Sequence, residues 1–252
     1  MLKLRVMPTL LYKEFGLVKG VAFDSWRRIG SAMQAVKVYN LREVDELVFL
    51  DIAATREGRP PDFEVVDELA DECFMPLAVG GGIRTVEHVQ RLLQVGADKV
   101  VVNTAAVQSP DLIRDIARRF GSQCVVVSID ARRYADGVYE TYTHAGTVPA
   151  GKDPVSMARE AEAAGAGEIL VTSIDRDGTM AGYDVELTRV VADSVTIPVI
   201  ASGGAGTYEH MAEVIREGHS SAVAAASLFH FTHQTPAEAK RYLKERGFVV
   251  RA

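Results

Sequence analysis

The chain has 252 residues, with 28 Lys+Arg against 34 Asp+Glu and a formal charge of −6. That balance speaks for solubility and against a nucleic-acid or anionic-membrane surface, so any anionic ligand must be held by a local arrangement of donors. Only two cysteines occur, Cys73 and Cys124, and neither belongs to a CxxC or Cys/His cluster, so two thiols in a reducing cytosol are expected rather than a disulfide.

The N-terminal MLKLRVMPTLL alternates like a strand and carries no long apolar stretch or cleavage-like site, which points to a cytoplasmic protein without membrane contact. Short β-branched runs then predict strands at 4–11, 46–52, 75–80, 98–103, 124–130, 168–174, 197–202 and 221–226. Apolar residues at helical spacing predict helices at 31–42, 62–73, 85–95, 109–120, 153–165, 185–194, 207–217 and 235–246. Ser109-Pro110 and Thr235-Pro236 read as a cap followed by proline at the first helical position, and Gly96, Gly165 and Gly218 stand where helices stop. Segment 132–148 reads as a hairpin turned by Asp136-Gly137, inserted after the fifth strand. Eight strand–helix units in this length make a (β/α)8 barrel of the α/β class. No stretch reads as a linker, so residues 1–252 are expected to form one domain.

The chain is also a repeat. PLAVGGGIRTVEHVQRLLQVGADKVVVNTAAV at 76–107 answers PVIASGGAGTYEHMAEVIREGHSSAVAAASLF at 198–229, with Gly81, Gly82, Thr85 and His88 opposite Gly203, Gly204, Thr207 and His210 in one constant offset. DELVFLDI around Glu46 answers GEILVTSI around Glu168, and TLLYK at 9–13 stands where SIDAR at 128–132 stands in the second half. Half a chain is longer than a solenoid repeat, so this is a barrel built from two half-barrels. The pairing sets Asp130 opposite Leu11, and a carboxylate is missing from one side.

Catalytic groups in such barrels lie at the carboxyl ends of the strands. Gly81 and Gly82 follow the third strand and Asn103-Thr104 close the fourth, a set whose backbone N–H groups and side-chain donors suit a phosphate. The second half repeats the arrangement with Ser202, Gly203 and Gly204 after the seventh strand and Ala226 and Ser227 after the eighth, completed by Asp177-Gly178. Two such cradles across one mouth suit a ligand phosphorylated at both ends. Asp130 between them is the expected general acid or base. Asp51 is a second carboxylate at the mouth, in reach of a catalytic or loop-positioning role, and Lys19 lies on the loop after the first strand, where it either folds over the ligand or stays solvated. At the other end, Arg5, Glu46, Lys99 and Glu168 balance in charge and either close a ring across the barrel floor or stand as separate surface residues. No histidine falls at metal-ligand spacing, so neither a metal nor a cofactor is expected.

These segments resemble the cyclase subunit of imidazole glycerol phosphate synthase over essentially the whole chain: LVKGVAF at 17–23, DELVFLDI at 45–52, VGGGIRT at 79–85, GADKV at 96–100, RFGSQCVVVSIDA at 119–131, GAGEILVTSIDRDGTMAGYD at 165–184 and IPVIASGGAG at 197–206. The resemblance implies a glutaminase partner docked on the barrel floor around Asp98 and Lys99, ammonia passing a gate formed by Arg5, Glu46, Lys99 and Glu168, and reaction at the top with a two-phosphate ligand. It also implies two catalytic aspartates, of which one is Asp130 and the other falls at Leu11. The Leu10-Leu11 pair, ECFMPL at 72–77 and SAVAA at 221–225 look like a divergent branch of this family that supplies ammonia to a separate amidotransferase acting on bacterial surface sugars. VKGVAF and the tail HFTHQTPAEAKRYLKERGFVVR resemble the histidine-pathway cyclase instead. The sugar-amidation barrel, the histidine-pathway cyclase, a two-phosphate sugar isomerase and a scaffold are the readings in competition. Leu11 weighs against both the cyclase and the isomerase, and the charged quartet has no purpose in an isomerase.

Overall fold

The computed structural model describes residues 3–14, 16–42 and 44–251; Met1, Leu2, Phe15, Glu43 and Ala252 fall outside, so the reading of the first two residues lies beyond what is described. The first half supplies β1 (Arg5–Lys13), the hairpin β2 (Gly16–Val21) and β3 (Asp24–Gly30), α1 (Ala32–Leu41), β4 (Leu47–Asp51), α2 (Phe63–Asp71), β5 (Leu77–Gly80), α3 (Val86–Gln94), β6 (Lys99–Val102), α4 (Thr104–Gln108) and α5 (Pro110–Phe120). The second supplies β7 (Val125–Arg133), β8 (Tyr139–Thr143), β9 (Val148–Pro149), α6 (Pro154–Ala164), β10 (Glu168–Ser173), α7 (Val185–Ala192), β11 (Val199–Ser202), α8 (Tyr208–Arg216), β12 (Ala222–Ala225), α9 (Ser227–Phe231) and α10 (Pro236–Glu245).

Eight of these strands close on themselves in the order β1-β4-β5-β6-β7-β10-β11-β12, every neighbouring pair parallel, which is the expected (β/α)8 barrel. Alternation turns every second side chain inward. Met7, Val48, Ala78, Val101, Val126, Leu170, Ile200, Ala222 and Ala224 meet there as an apolar layer inside the ring. A larger cluster packs the outward faces against the helices. α5 is typical: Leu112, Ile113 and Ile116 are buried while Asp111, Arg118 and Arg119 occupy its ends.

The sheet register supports the internal repeat residue by residue. Leu11 pairs with Leu50, and Asp130 pairs with Thr172, the residue that answers Leu50 in the second half. Asp130 and Leu11 are therefore equivalent positions. The offset is not one constant value, however: Leu50 and Thr172 stand three residues further apart than Leu11 and Asp130, and the spacing changes again near the end. Ala78 pairs with Lys99, but its counterpart Ile200 pairs with Ala222, so the second half holds one extra residue before its last barrel strand. The turn explains it: after α8 the left-handed residue is His219 (φ +56°), whereas Gly96 (φ +103°) does this job after α3, and Gly218 takes no positive φ. Gly165 (φ +102°) stops α6 as anticipated.

Two further features depart from the expected pattern. The stretch after β1 is not a loop but an antiparallel hairpin, with Tyr12 opposite Leu17 and Val21 opposite Asp24. Its first strand pairs with β1 and is buried except at Val21, which no local periodicity announced. Short helices α4 and α9 also follow β6 and β12, one in each half. The hairpin after the fifth barrel strand is present, with Asp130 to Arg133 running against Tyr142 to Tyr139 and Gly137 (φ +86°) in the turn.

Glycine replacements separate conformational strain from lack of space. At Gly81 (φ +111°) a Cβ would stand 2.3 Å from the Asp51 carbonyl oxygen, whereas at Gly137 (φ +86°) the nearest atom is the flexible end of Arg133 at 3.6 Å. Gly137→Ala is expected to cost about 1 kcal/mol of unfolding free energy and Gly81→Ala at least about 3 kcal/mol, measured by denaturant titration. Equal losses would mean that backbone conformation alone sets the cost.

Candidate active site at the barrel mouth

The repeated Thr-x-Glu-His motif explains why both glycine turns fold alike. Thr85 and Thr207 cap α3 and α8 by accepting from the backbone N–H of His88 and His210, each at 3.2 Å, while the two imidazole Nδ1 atoms accept from Arg84 and Gly206 N–H at 3.4 and 3.2 Å. The glycines leave the preceding strands in left-handed conformations: Gly81 and Gly82 at φ +111° and +70°, Gly203 and Gly204 at +87° and +106°. They line one cleft together with Lys19, Asp51, Asn103, Thr104, Asp130, Asp177, Gly178, Ser202, Ala226 and Ser227. Leu11 lines it too. All mouth residues anticipated from the sequence are thus brought to one place.

Their partners differ from expectation in several cases. Asn103 spends both amide protons on backbone carbonyls, of Ser128 at 3.1 Å and Tyr142 at 3.2 Å, and Thr104 Oγ1 accepts from His144 N–H at 3.0 Å while donating to Asn103 Oδ1 at 3.2 Å. Gly82 N–H donates to Thr55 Oγ1 at 3.2 Å. Asn103 and Thr104 thereby knit the β8–β9 region onto the mouth, while Gly82 is tied to the loop after β4. Asp51 is fully engaged as well: Arg59 grips it with two N–H groups at 2.6 and 3.0 Å, and Ala53 and Ala54 N–H donate to Oδ1 at 3.0 and 3.1 Å. With every oxygen satisfied by a cation or a backbone donor, Asp51 organises its loop.

Lys19 is no solvated loop lysine. It is buried on β2 with Nζ 2.8 Å from both oxygens of Asp177, and the hairpin also donates Ala22 N–H to the Asp177 carbonyl at 2.8 Å. Gly178 permits this contact, because a Cβ there would stand 2.2 Å from the Gly20 carbonyl oxygen. The hairpin carries Phe23 and Trp26 over the cleft, and Ala145 reaches it from the opposite hairpin.

Asp130 stands apart from the other carboxylates. It is 9% exposed, and burial pushes its pKa up to about 7 against the pull of hydrogen bonds from Ser128 (3.2 Å) and Thr172, with the charge of Asp177 adding to the rise. A carboxyl group that titrates near neutrality both takes and gives protons. Across the pseudo-twofold axis, Leu11 offers no such group. Thr9 and Ser227 hydroxyls, both lining the cleft, are buried without a protein hydrogen-bond partner. Thr9, Ser128 and Thr172 were not singled out in the sequence. The first two lie two positions before Leu11 and Asp130, on the same inward face, which is the alternation signal that marks them.

At the opposite end the quartet closes into a ring. Arg5 Nη1 lies 2.8 Å from Glu46 and 2.9 Å from Glu168, and Lys99 Nζ lies 2.9 Å from Glu46 and 3.2 Å from Glu168, so each cation bridges both carboxylates. Burial alone would loosen the Arg5 proton, but Glu168 and Glu46 together outweigh it and raise the pKa. Asp98, beside the ring, is exposed and holds Leu77 N–H at 2.8 Å with one oxygen.

Fold and site together define a (β/α)8 barrel of the enzyme type, with a titratable carboxylate at the mouth between two copies of one glycine turn. The chain belongs to the histidine biosynthesis protein family, whose sequence model matches residues 5–235. None of the helices formed by the described residues is long and apolar enough to cross a membrane, and among those residues no cluster of His, Cys, Asp and Glu has the form of a metal site.

The Asp130 environment has a thermodynamic signature. An aspartate whose pKa rises on folding binds more protons in the folded state between 3.8 and about 7, so folding loses stability as the pH climbs through that window and the penalty is complete above it. Asp130→Asn removes the titration. Relative to the parent chain, the variant should gain about 2–4 kcal/mol between pH 4 and pH 8 in denaturant unfolding. A difference that stays flat across this range would mean that Asp130 titrates as an ordinary surface aspartate.

Proposed function

We propose that the chain is the ammonia-using barrel subunit of a glutamine amidotransferase complex, built like the cyclase subunit of imidazole glycerol phosphate synthase and specialised for amidation of bacterial surface sugars. The observation that carries this reading is the closed, neutral ring of Arg5, Glu46, Lys99 and Glu168. Four charges linked in this way at the entrance to an apolar barrel interior are costly to assemble for stability alone. Behind them the Met7, Val48 and Leu170 layer forms surroundings that favour neutral ammonia over ammonium. A glutaminase docked around Asp98 and Lys99 delivers ammonia beneath the ring.

The mouth supports the other half of the proposal. A ligand with two phosphates spans the turns at Gly81-Gly82 and Gly203-Gly204, met by their backbone N–H groups other than that of Gly82, which Thr55 holds, and by the unpaired hydroxyls of Thr9 and Ser227, while Asp130 exchanges the proton. Asn103 and Thr104 shape the first cradle rather than donate to it. Lys19, neutralised by Asp177, positions the hairpin that covers the ligand.

Leu11 is why sugar amidation is preferred to cyclisation. Its register places an alkyl side chain where a second acid or base belongs, and such a group contributes ~10²–10⁴-fold to rate. Leu11→Asp is expected to raise any trace cyclisation from ammonium salts by about 10²-fold or more, and adding Asp130→Asn should abolish it. Rapid cyclisation by the parent chain would favour the histidine-pathway enzyme itself, which the family assignment also accommodates.

The ring has its own test. Lys99→Leu leaves two carboxylates facing one cation. Product formation from glutamine, measured with a partner glutaminase and sugar amidotransferase, should fall at least tenfold more than formation from ammonium salts. Parallel losses in the two assays would reduce the ring to a structural ion-pair cluster.

A further inference from the structure

A second concave surface lies beside the mouth, between β3, the start of α1 and α9, and encloses about 560 Å³. That volume is in the range of small-molecule sites. Arg27, Arg28 and Arg42 line it together with His230, and among the described residues no Asp or Glu does. On a chain of net charge −6 this is a marked local excess of cations. Among the described residues neither Arg27 nor Arg42 is paired with a carboxylate; the Arg27 guanidinium lies over Phe231, 4.2 Å from the ring centre. Stacking of this kind fixes the fork of N–H donors without using it.

The backbone adds to the same surface. The ten-residue helix α1 is preceded by Ser31, whose side chain makes no capping bond, and its first turn has no acidic residue. By contrast α2, α3, α6, α7, α8 and α10 each start with a side chain that accepts a backbone N–H. Ser31 and Gln34 line the groove, so the positive end of this helix stands beside the arginines, although the Ala35 N–H is spent on the Ser31 carbonyl oxygen at 3.2 Å. His230 then joins the groove to the mouth: its Nε2 donates to the Thr9 carbonyl oxygen at 3.4 Å, and Thr9 lines the active-site cleft.

We propose that this groove is a second ligand site, for a small molecule carrying a diphosphate or triphosphate group. The Arg27 and Arg42 guanidinium groups match the oxygens of linked phosphates by paired N–H donation, with Arg28 adding positive charge beside them, and this spread of charge across one groove suits two or three phosphates better than one. A ligand there contacts the strand that carries Thr9 and Leu11 through a single imidazole, so occupancy is felt at the mouth. The inference is independent of the reaction proposed for the mouth.

The test uses the full chain with pyrophosphate and ADP as probes. Because pyrophosphate also suits the mouth, the titrations are run in a Ser227→Asp background, with Ser202→Asp as a second way of closing the cleft to anions. Calorimetry should still show one binding event, and the His230 ring signal should move in the NMR spectrum as pyrophosphate is added. In the same background Arg42→Gln should weaken binding at least tenfold and Arg27→Gln several-fold, with unfolding curves unchanged because both replacements are conservative and outside the core. Tighter binding of ADP than pyrophosphate identifies a nucleotide; the reverse identifies a simpler diphosphate. Loss of all binding on closing the mouth, indifference to both arginine replacements, or tighter binding of a glutamate-rich peptide than of pyrophosphate would overturn the proposal.

Discussion

Inside a closed parallel barrel, a side chain's layer is decided by strand register, and every functional feature of this chain depends on that constraint. Hydrogen bonding fixes the register around the full circle, from β1 through β7 and back by way of β10 to β12. Alternation then fills the interior from bottom to top. Arg5, Met7, Thr9 and Leu11 are successive inward positions on one strand, and they belong in turn to the charged ring, the apolar layer and the mouth. A slip of one residue on β1 would turn all four outward.

The stacking also decides the electrostatics. Charges are stable at the floor because each has two partners, and removing any one leaves an imbalance worth about 3–5 kcal/mol where water is scarce. Among the described residues no cation pairs with Asp130. It has hydroxyl groups and a neighbouring aspartate instead, so burial wins and the carboxyl stays protonated to near neutrality. Asp51 meets the opposite fate in the same cleft, where Arg59 and two backbone N–H groups occupy its oxygens. Two carboxylates in one mouth are thereby given different work by their neighbours alone.

Much of this was legible in the sequence because barrels repeat a strong local signal. Strand and helix periods, the caps at Thr235 and the stop at Gly165 all depend on neighbours within a few residues. The repeat located Leu11 opposite Asp130 before any register was known. What remained hidden depends on contacts between distant segments. The hairpin after β1 is buried only because the mouth is there to receive it, and the Lys19–Asp177 pair joins residues 158 apart. Asn103 and Thr104 carry the right donors for a phosphate, yet tertiary neighbours claim them first. The extra residue at His219 was masked because the flanking helix and strand keep their own periods on either side of it.

The floor ring and the mouth share one further property. Glu46 and Glu168 are twofold counterparts, but Arg5 and Lys99 both come from the first half, and the positions that answer them hold Cys124 and Ala222. The mouth is unequal in the opposite sense, because Asp130 of the second half is answered by Leu11 in the first. A perfectly duplicated barrel would accept any molecule lying across its axis in two equivalent orientations, and half of all encounters would be indistinguishable from the other half. Here the degeneracy is lifted at both ends, so the barrel has a front and a back that its architecture alone does not provide.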